Sequence, residues 1–250
     1  MWKCPYAAVP GISHNQSDFE SCEDVVSAEF DESFACVCLA DGAGSARFAR
    51  LGASEVVQST IRLLKEQFDG LFEMDDSSVA KAIVDNCLES IKKSYGKSEG
   101  FDIRDYSSTL LVVAIHEDRC ICAHVGDGII GRRDDNEVGI ISFPWNGEFK
   151  NVTVFVTSED VLSTIDVKKI KLGKDTGFFV MSDGTQTSFY SSQKKELISI
   201  VGLNQIFDFA ITNSVEDTSS FLENNLLNLI SKKTSDDCSF GMLVKEEINH

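Results

Sequence analysis

The residues of this chain best suited to chemistry are carboxylates standing at the ends of apolar runs. Three segments share one design: Phe34-Ala35-Cys36-Val37-Cys38-Leu39-Ala40-Asp41-Gly42, Ile121-Cys122-Ala123-His124-Val125-Gly126-Asp127-Gly128 and Phe178-Phe179-Val180-Met181-Ser182-Asp183-Gly184. A buried strand that stops in a carboxylate holds that oxygen rigidly at the sheet's edge, and the glycine after it lets backbone or a ligand come close. Asp24, at the start of the first β-prone run, and Asp236-Asp237, just before the last one, fit the same logic. Acids converging at one place repel unless cations neutralise them. Hard, oxygen-liganded ions such as Mg²⁺ or Mn²⁺ are the natural partners.

Each Asp-Gly pair also has a plainer reading, since it is a favoured two-residue hairpin turn. For Asp127-Gly128, flanked by Cys120–Val125 and Ile129–Arg133, the hairpin is the expected reading. Asp41 differs, because a glycine-rich turn and then a helix follow it. Asp183 differs too, because the polar stretch 185–195 leads into a helix. The turn Gly42-Ala43-Gly44-Ser45 is a poor nucleotide loop: no Gly-Lys-Ser/Thr follows, and Arg47 occupies the third glycine position.

These carboxylates need elements to position them. The runs 24–30 and 34–40 predict two strands around the polar turn Asp31-Glu32-Ser33. Phe48, Leu51, Val56, Ile61, Leu64 and Phe68 then recur at helical spacing, with Gly70 as a stop signal. A second helix is expected from about Asp76 to Gly96. Strands are expected over 109–116, 120–125, 129–133, 138–143, 151–157, 165–172 and 177–181. Helices over 194–209 and 216–230 and a last strand over 238–244 complete the chain. Strands cluster with strands and helices come in pairs, which argues α+β: two packed sheets with a helical pair on each outer face. With no repeat and no linker composition, residues 1–250 read as one domain.

Composition sets the outer limits. The chain has 250 residues, 40 acidic against 23 basic, and a formal charge of −17. An ordinary apolar content of 42% excludes disorder as the dominant state, and the acidic balance argues against binding nucleic acid or anionic lipid. The N-terminus has no signal-peptide core, and no apolar run reaches the roughly 20 residues of a spanning helix. Eight cysteines form no CxxC pair or zinc-type cluster. Cys36/Cys38 and Cys120/Cys122 read as small buried hydrophobes on strand faces. A cytoplasmic protein is the expectation.

In collinear order, the motifs resemble the metal-dependent serine/threonine phosphatases of the protein phosphatase 2C class, in their bacterial-type branch. The resemblance rests on Gly11-Ile12-Ser13-His14 with Cys22-Glu23-Asp24; on Asp41-Gly42-Ala43-Gly44-Ser45-Ala46 with Gly52-Ala53; and on Ser107-Ser108-Thr109-Leu110. It continues through Val125-Gly126-Asp127-Gly128, the segment 147–153, Ser182-Asp183-Gly184 and Asp236-Asp237-Cys238-Ser239. The resemblance implies a four-layer αββα sandwich, two antiparallel sheets flanked by helix pairs. It implies two Mn²⁺ or Mg²⁺ ions, with a third in some members, and a water activated between two of them. Carried over by position, Asp41 would bridge the ions and the Gly42 carbonyl would touch one. Asp183 and Asp236 would complete the other site, and Glu23 and Asp24 would hold the ions' waters or ligate directly. Asp127 matches the position of the weaker third ion, and Asp237 stands as a supporting residue.

Two departures matter. Ala43 occupies the place where many eukaryotic members carry a histidine proposed as general acid, so the leaving alkoxide would take its proton from metal-bound water or from His14, which otherwise reads as a hydrogen-bonded structural residue. The stretch 15–22 has no Arg or Lys where a phosphate-binding arginine is usual, so phosphate anchoring is unassigned; Arg47 and Arg50 are candidates, with plain surface charge the expected reading of Arg50. The implied substrate is a phosphorylated protein; oligomeric state is not legible. Two alternatives stand beside this reading: a non-catalytic regulatory or binding module of the same fold, and a metal-dependent hydrolase of small phosphate esters or nucleotides.

Overall fold

The computed structural model describes residues 1–12, 21–145, 153–173 and 176–246. In chain order the strands are β1 (Trp2–Lys3), β2 (Tyr6–Val9), β3 (Val25–Phe30), β4 (Phe34–Ala40), β5 (Leu110–His116), β6 (Arg119–Val125) and β7 (Ile129–Asp134). They continue with β8 (Glu137–Ser142), β9 (Asp166–Lys171), β10 (Thr176–Met181), β11 (Tyr190–Ser191), β12 (Glu196–Leu197) and β13 (Cys238–Lys245). The helices are α1 (Ala49–Glu73), α2 (Asp76–Tyr95), α3 (Val161–Thr164), α4 (Asp183–Gln186), α5 (Ile200–Thr212) and α6 (Val215–Asn225). One antiparallel sheet runs β3-β4-β5-β6-β9. The other runs β1-β13-β10-β7-β8, with β2 also paired to β13.

Side chains of a strand point alternately to opposite faces, so each central strand serves two cores. In β4, Phe34, Cys36, Cys38 and Ala40 pack under α1 and α2, while Ala35, Val37 and Leu39 meet the second sheet. In β10, Phe179 and Met181 join the core beneath α5 and α6, and Phe178 and Val180 fill the space between the sheets. Both faces are covered, which is why these strands read as unbroken apolar runs. The layers are helix, sheet, sheet, helix, as expected. All eight cysteines are free and buried. No helix among the described residues is long and apolar enough to cross a membrane.

Several local expectations are corrected. The helix expected to stop at Gly70 runs on to Glu73. Leu71 is 1% exposed, and burying a leucine contributes about 1.5–3 kcal/mol, more than the ~1 kcal/mol that an internal glycine costs. The helix expected from Lys194 begins only at Ile200, because 190–197 forms the small β11–β12 hairpin. The described part of the expected strand 151–157 is irregular: Val154 and Val156 are buried, yet no neighbouring strand pairs with them. The Asp127-Gly128 hairpin does not form. β6 belongs to one sheet and β7 to the other, and the chain crosses between them at Gly126, whose φ of 114° suits glycine.

Candidate metal centre

That crossing brings the carboxylates together. Asp41 directly follows β4, Asp127 lies just past β6, and Asp183 opens α4 just past β10. Each of the three offers an oxygen, and these oxygens all lie within 4.8 Å of one another. Asp41 is fixed by a reciprocal pair of bonds: its N–H donates to Thr109 Oγ1 at 2.8 Å, and the Thr109 N–H donates to its carbonyl at 2.8 Å. Asp127 accepts from Thr153 Oγ1 at 2.6 Å. Gly184 admits the last motif closely: a Cβ there would lie 2.1 Å from the Asp237 carbonyl oxygen.

Asp24 sits behind Asp41, 2% exposed, and its Oδ2 accepts from Ser239 Oγ at 2.5 Å. Asp24 Oδ1 and Asp183 Oδ1 are buried and have no hydrogen-bond partner among the described residues. Asp237 acts as a clasp: its two oxygens accept from Gly11 N at 2.8 Å and Glu23 N at 2.6 Å. Asp236 is outside the tight trio but lines the same cavity of about 290 Å³. Glu23, Asp41, Asp127, Asp183, Asp236 and Asp237 line that cavity with Gly42, Ala43, Gly44, Thr109, Thr153 and Phe155. No cationic side chain stands among these lining residues. Arg50 instead donates to the Cys22 carbonyl, and Arg47 lies over the Phe48 ring at 4.9 Å. A larger groove of about 690 Å³ between β3 and α1 has Arg62 and Lys65 beside Glu29 and no comparable cluster.

The electrostatics are those of a cation site seen from the protein side. Burial, then the charges of Asp24, Asp183 and Asp127, holds the Asp41 carboxyl well above the usual carboxylate range. Asp183 is pushed up to about 7 by burial and by Asp127, Asp24 and Asp236. Asp24 is pushed up to about 6, mainly by burial, against the opposing hydrogen bond from Ser239. Asp127 is raised by burial, with the Thr153 hydroxyl opposing. Bound cations reverse this logic, because their charge favours the ionised carboxylate. An all-oxygen donor set with two buried, unpartnered oxygens fits hard divalent ions.

Asp24, Asp41, Gly42, Asp127, Asp183 and Asp236 therefore stand in or directly behind one cavity. Asp127, which the sequence alone reads as a hairpin residue, is inside the tight trio. His14 lies outside the described residues. Thr109, Thr153, Phe155 and Ser239 were not singled out individually. Thr109 and Ser239 sit within the Ser107-Ser108-Thr109 and Asp236-Asp237-Cys238-Ser239 motifs, and that proximity was the available signal.

Fold and site together define a four-layer αββα protein whose strand-end carboxylates form one centre where the two sheets meet. The model of the protein phosphatase 2C family matches residues 11–229, and the chain belongs to that family. It is 23% identical over 173 residues to serine/threonine-protein phosphatase 3 of Escherichia coli (strain K12), a match that spans 66% of this chain and 66% of that protein. Its fold is similar to that of the S. agalactiae serine/threonine phosphatase, with a TM-score of 0.63 and 18% identity over 98% of this chain and 100% of that one. It is also similar to RsbX, solved in complex with magnesium, with a TM-score of 0.60 and 13% identity over 97% and 94% of the two chains.

Proposed function

We propose that the chain is a metal-dependent protein serine/threonine phosphatase, a single unit of residues 1–250 that hydrolyses phosphoserine and phosphothreonine. The observation that carries this reading is the convergence of Asp41, Asp127 and Asp183 oxygens within 4.8 Å, at the end of an αββα sandwich in a family of phosphatases. Asp41, Asp183 and Asp236, with Asp24 and the Gly42 carbonyl, are the proposed holders of two divalent ions, and Asp127 of a third. Mg²⁺ and Mn²⁺ both suit the donors, and the magnesium complex of RsbX supports the first. Such ions, when bound, lower the pKa of water and offset charge on phosphoryl oxygens.

The chain's own residues supply placement. Thr109 holds Asp41 through its side chain and backbone, Ser239 holds Asp24 behind it, and Asp237 ties Gly11 and the cavity-lining Glu23 together. His14 is proposed as the proton donor to the leaving alkoxide. The substrate is a phosphorylated protein, and cytoplasmic placement is supported by eight free, buried cysteines. Release of phosphate from a phosphopeptide, followed with Mn²⁺, with Mg²⁺ and in EDTA, tests the reading. Full activity in EDTA would overturn it, and a preference for nucleotides over phosphopeptides would point to a small-ester hydrolase.

A further inference from the structure

β8 ends at Ser142 and β9 begins at Asp166. Of the chain between them, residues 143–145 and 153–165 are described, and they meet the carboxylate end. In its described parts, the Trp145 N–H donates to the Gly126 carbonyl at 2.9 Å, and Thr153 Oγ1 donates to Asp127 at 2.6 Å. Phe155 lines the cavity, and the Val156 N–H donates to the Ser108 carbonyl at 2.9 Å. The described residues of this connection, 143–145 and 153–165, therefore form a strap that meets the proposed centre at Asp127.

Both roots of this strap are tied to one side chain. Ser142 Oγ donates to Asp166 Oδ2 at 2.7 Å, and His124 Nδ1 lies 2.8 Å from Ser142 Oγ. With the serine proton committed to Asp166, the imidazole carries its proton on Nδ1 and donates to Ser142. His124 also sits opposite Asp166 in the β6–β9 ladder, three residues before Asp127. It is 3% exposed, Ser142 is 2% exposed, and His124 Nε2 is buried with no hydrogen-bond partner among the described residues. An apolar pair at this place would hold the sheets together without an orphaned nitrogen. A buried polar chain instead specifies one arrangement, because breaking any link strands the others.

We propose that His124, Ser142 and Asp166 are positioning residues that fix the strap on Asp127, and thereby set how tightly the ion facing Asp127 is held. The inference rests on the phosphatase reading. None of the three touches the cavity; they act through Thr153 and the Gly126 crossing.

Calorimetric titration of the full chain with Mn²⁺ tests this without relying on turnover. Ser142→Ala should weaken the Asp127-dependent binding step about tenfold, the lower bound for groups that orient metal ligands. In phosphopeptide hydrolysis it should raise the Mn²⁺ activation constant to match, with kcat at saturating Mn²⁺ changed by less than about twofold. Asp166→Asn, which keeps an acceptor oxygen, should retain wild-type affinity. Leu71→Ala, a core change in the distant helical layer, should lower the melting temperature and leave the Mn²⁺ constants unmoved. Thr153→Val should reproduce the Ser142→Ala defect, and the double variant should be no worse than either single one. Unchanged Mn²⁺ binding in Ser142→Ala, or additive defects in the double variant, would overturn the inference alone. A wild-type chain that binds no Mn²⁺ would overturn both it and the phosphatase reading beneath it.

Discussion

The two ends of the five-stranded sheet treat the same residue type in opposite ways. At the end holding the β3–β4 and β5–β6 hairpin tips, carboxylates are exposed and partnered. Asp69 pairs with Arg119 at 2.8 Å and His116 at 3.0 Å. Asp31 accepts the Ser33 and Phe34 amides at 3.0 Å each and pairs with Lys65 at 3.3 Å. Asp31 is held below its ordinary range by those amides; for Asp69, burial is the largest single influence and raises it, but His116 and Arg119 together outweigh it and hold it low. At the other end Asp24 is buried and Asp41, Asp127 and Asp183 are half-buried; they meet hydroxyls or one another, and their pKa values rise. The lesson concerns incompleteness: the first end is electrically finished by the chain, and the second is finished only by ions from outside.

The largest expected effect breaks the unfinished end. Removing groups that merely orient metal ligands costs about 10–100-fold, so Asp41→Asn or Asp183→Asn should cost more than about 100-fold in Mn²⁺-dependent phosphatase activity. In metal-free protein at pH 8 the same Asp41→Asn change should raise the melting temperature, because it removes a repelled charge. Asp69→Asn at the other end should leave activity and, at moderate salt, the melting temperature unchanged.

The next effect sharpens the comparison through pH. Asp183 and Asp24 have folded pKa values raised above their unfolded ones, to about 7 and about 6. Their contribution to metal-free stability is therefore fully present below the unfolded value near 3.8 and is lost as pH rises through 6 to 7. Divalent ions remove that loss and add binding free energy. The rise in melting temperature on adding Mn²⁺ should thus be larger at pH 8 than at pH 5, and a pH-independent increment would contradict this account.

The smallest effect concerns substrate choice. Six carboxylates and no cation line the described cavity, so a phosphopeptide with Lys or Arg beside the phosphoresidue should show a lower KM than one flanked by Glu. The difference should shrink as salt is raised, since the attraction is screened beyond about 8–10 Å at 0.10–0.15 M ionic strength. Steady-state kinetics at two salt concentrations would measure it.

Much of this was legible in the residues. Apolar runs ending in Asp-Gly, with two further acids at run boundaries, marked the main carboxylates, and the grouping of strands and helices marked the four layers. What escaped depended on partners far away in the chain. Asp127-Gly128 has the local chemistry of a hairpin, and nothing local says that β7 joins the other sheet. Gly70 has the chemistry of a stop, and only the pocket receiving Leu71 overrides it. The stretch 153–157 has alternating valines, yet it lies where no strand is free to pair with it. β1 and β2, of two and four residues, are too short for a periodic signal. Thr153 and Ser239 stand inside motif segments, but which acid each one holds shows only when the fold places them against Asp127 and Asp24.

The Asp237 clasp has a consequence for synthesis. It joins Gly11 and Glu23 to a residue 226 and 214 positions further along, and the strand that follows it, β13, lies between β1 and β10 in the middle of its sheet. A ribosome must deliver Asp237 and β13 before the clasp can close. Assembly of the carboxylate centre thus waits on a strand far along the sequence from β3 and β4, which flank its first residues.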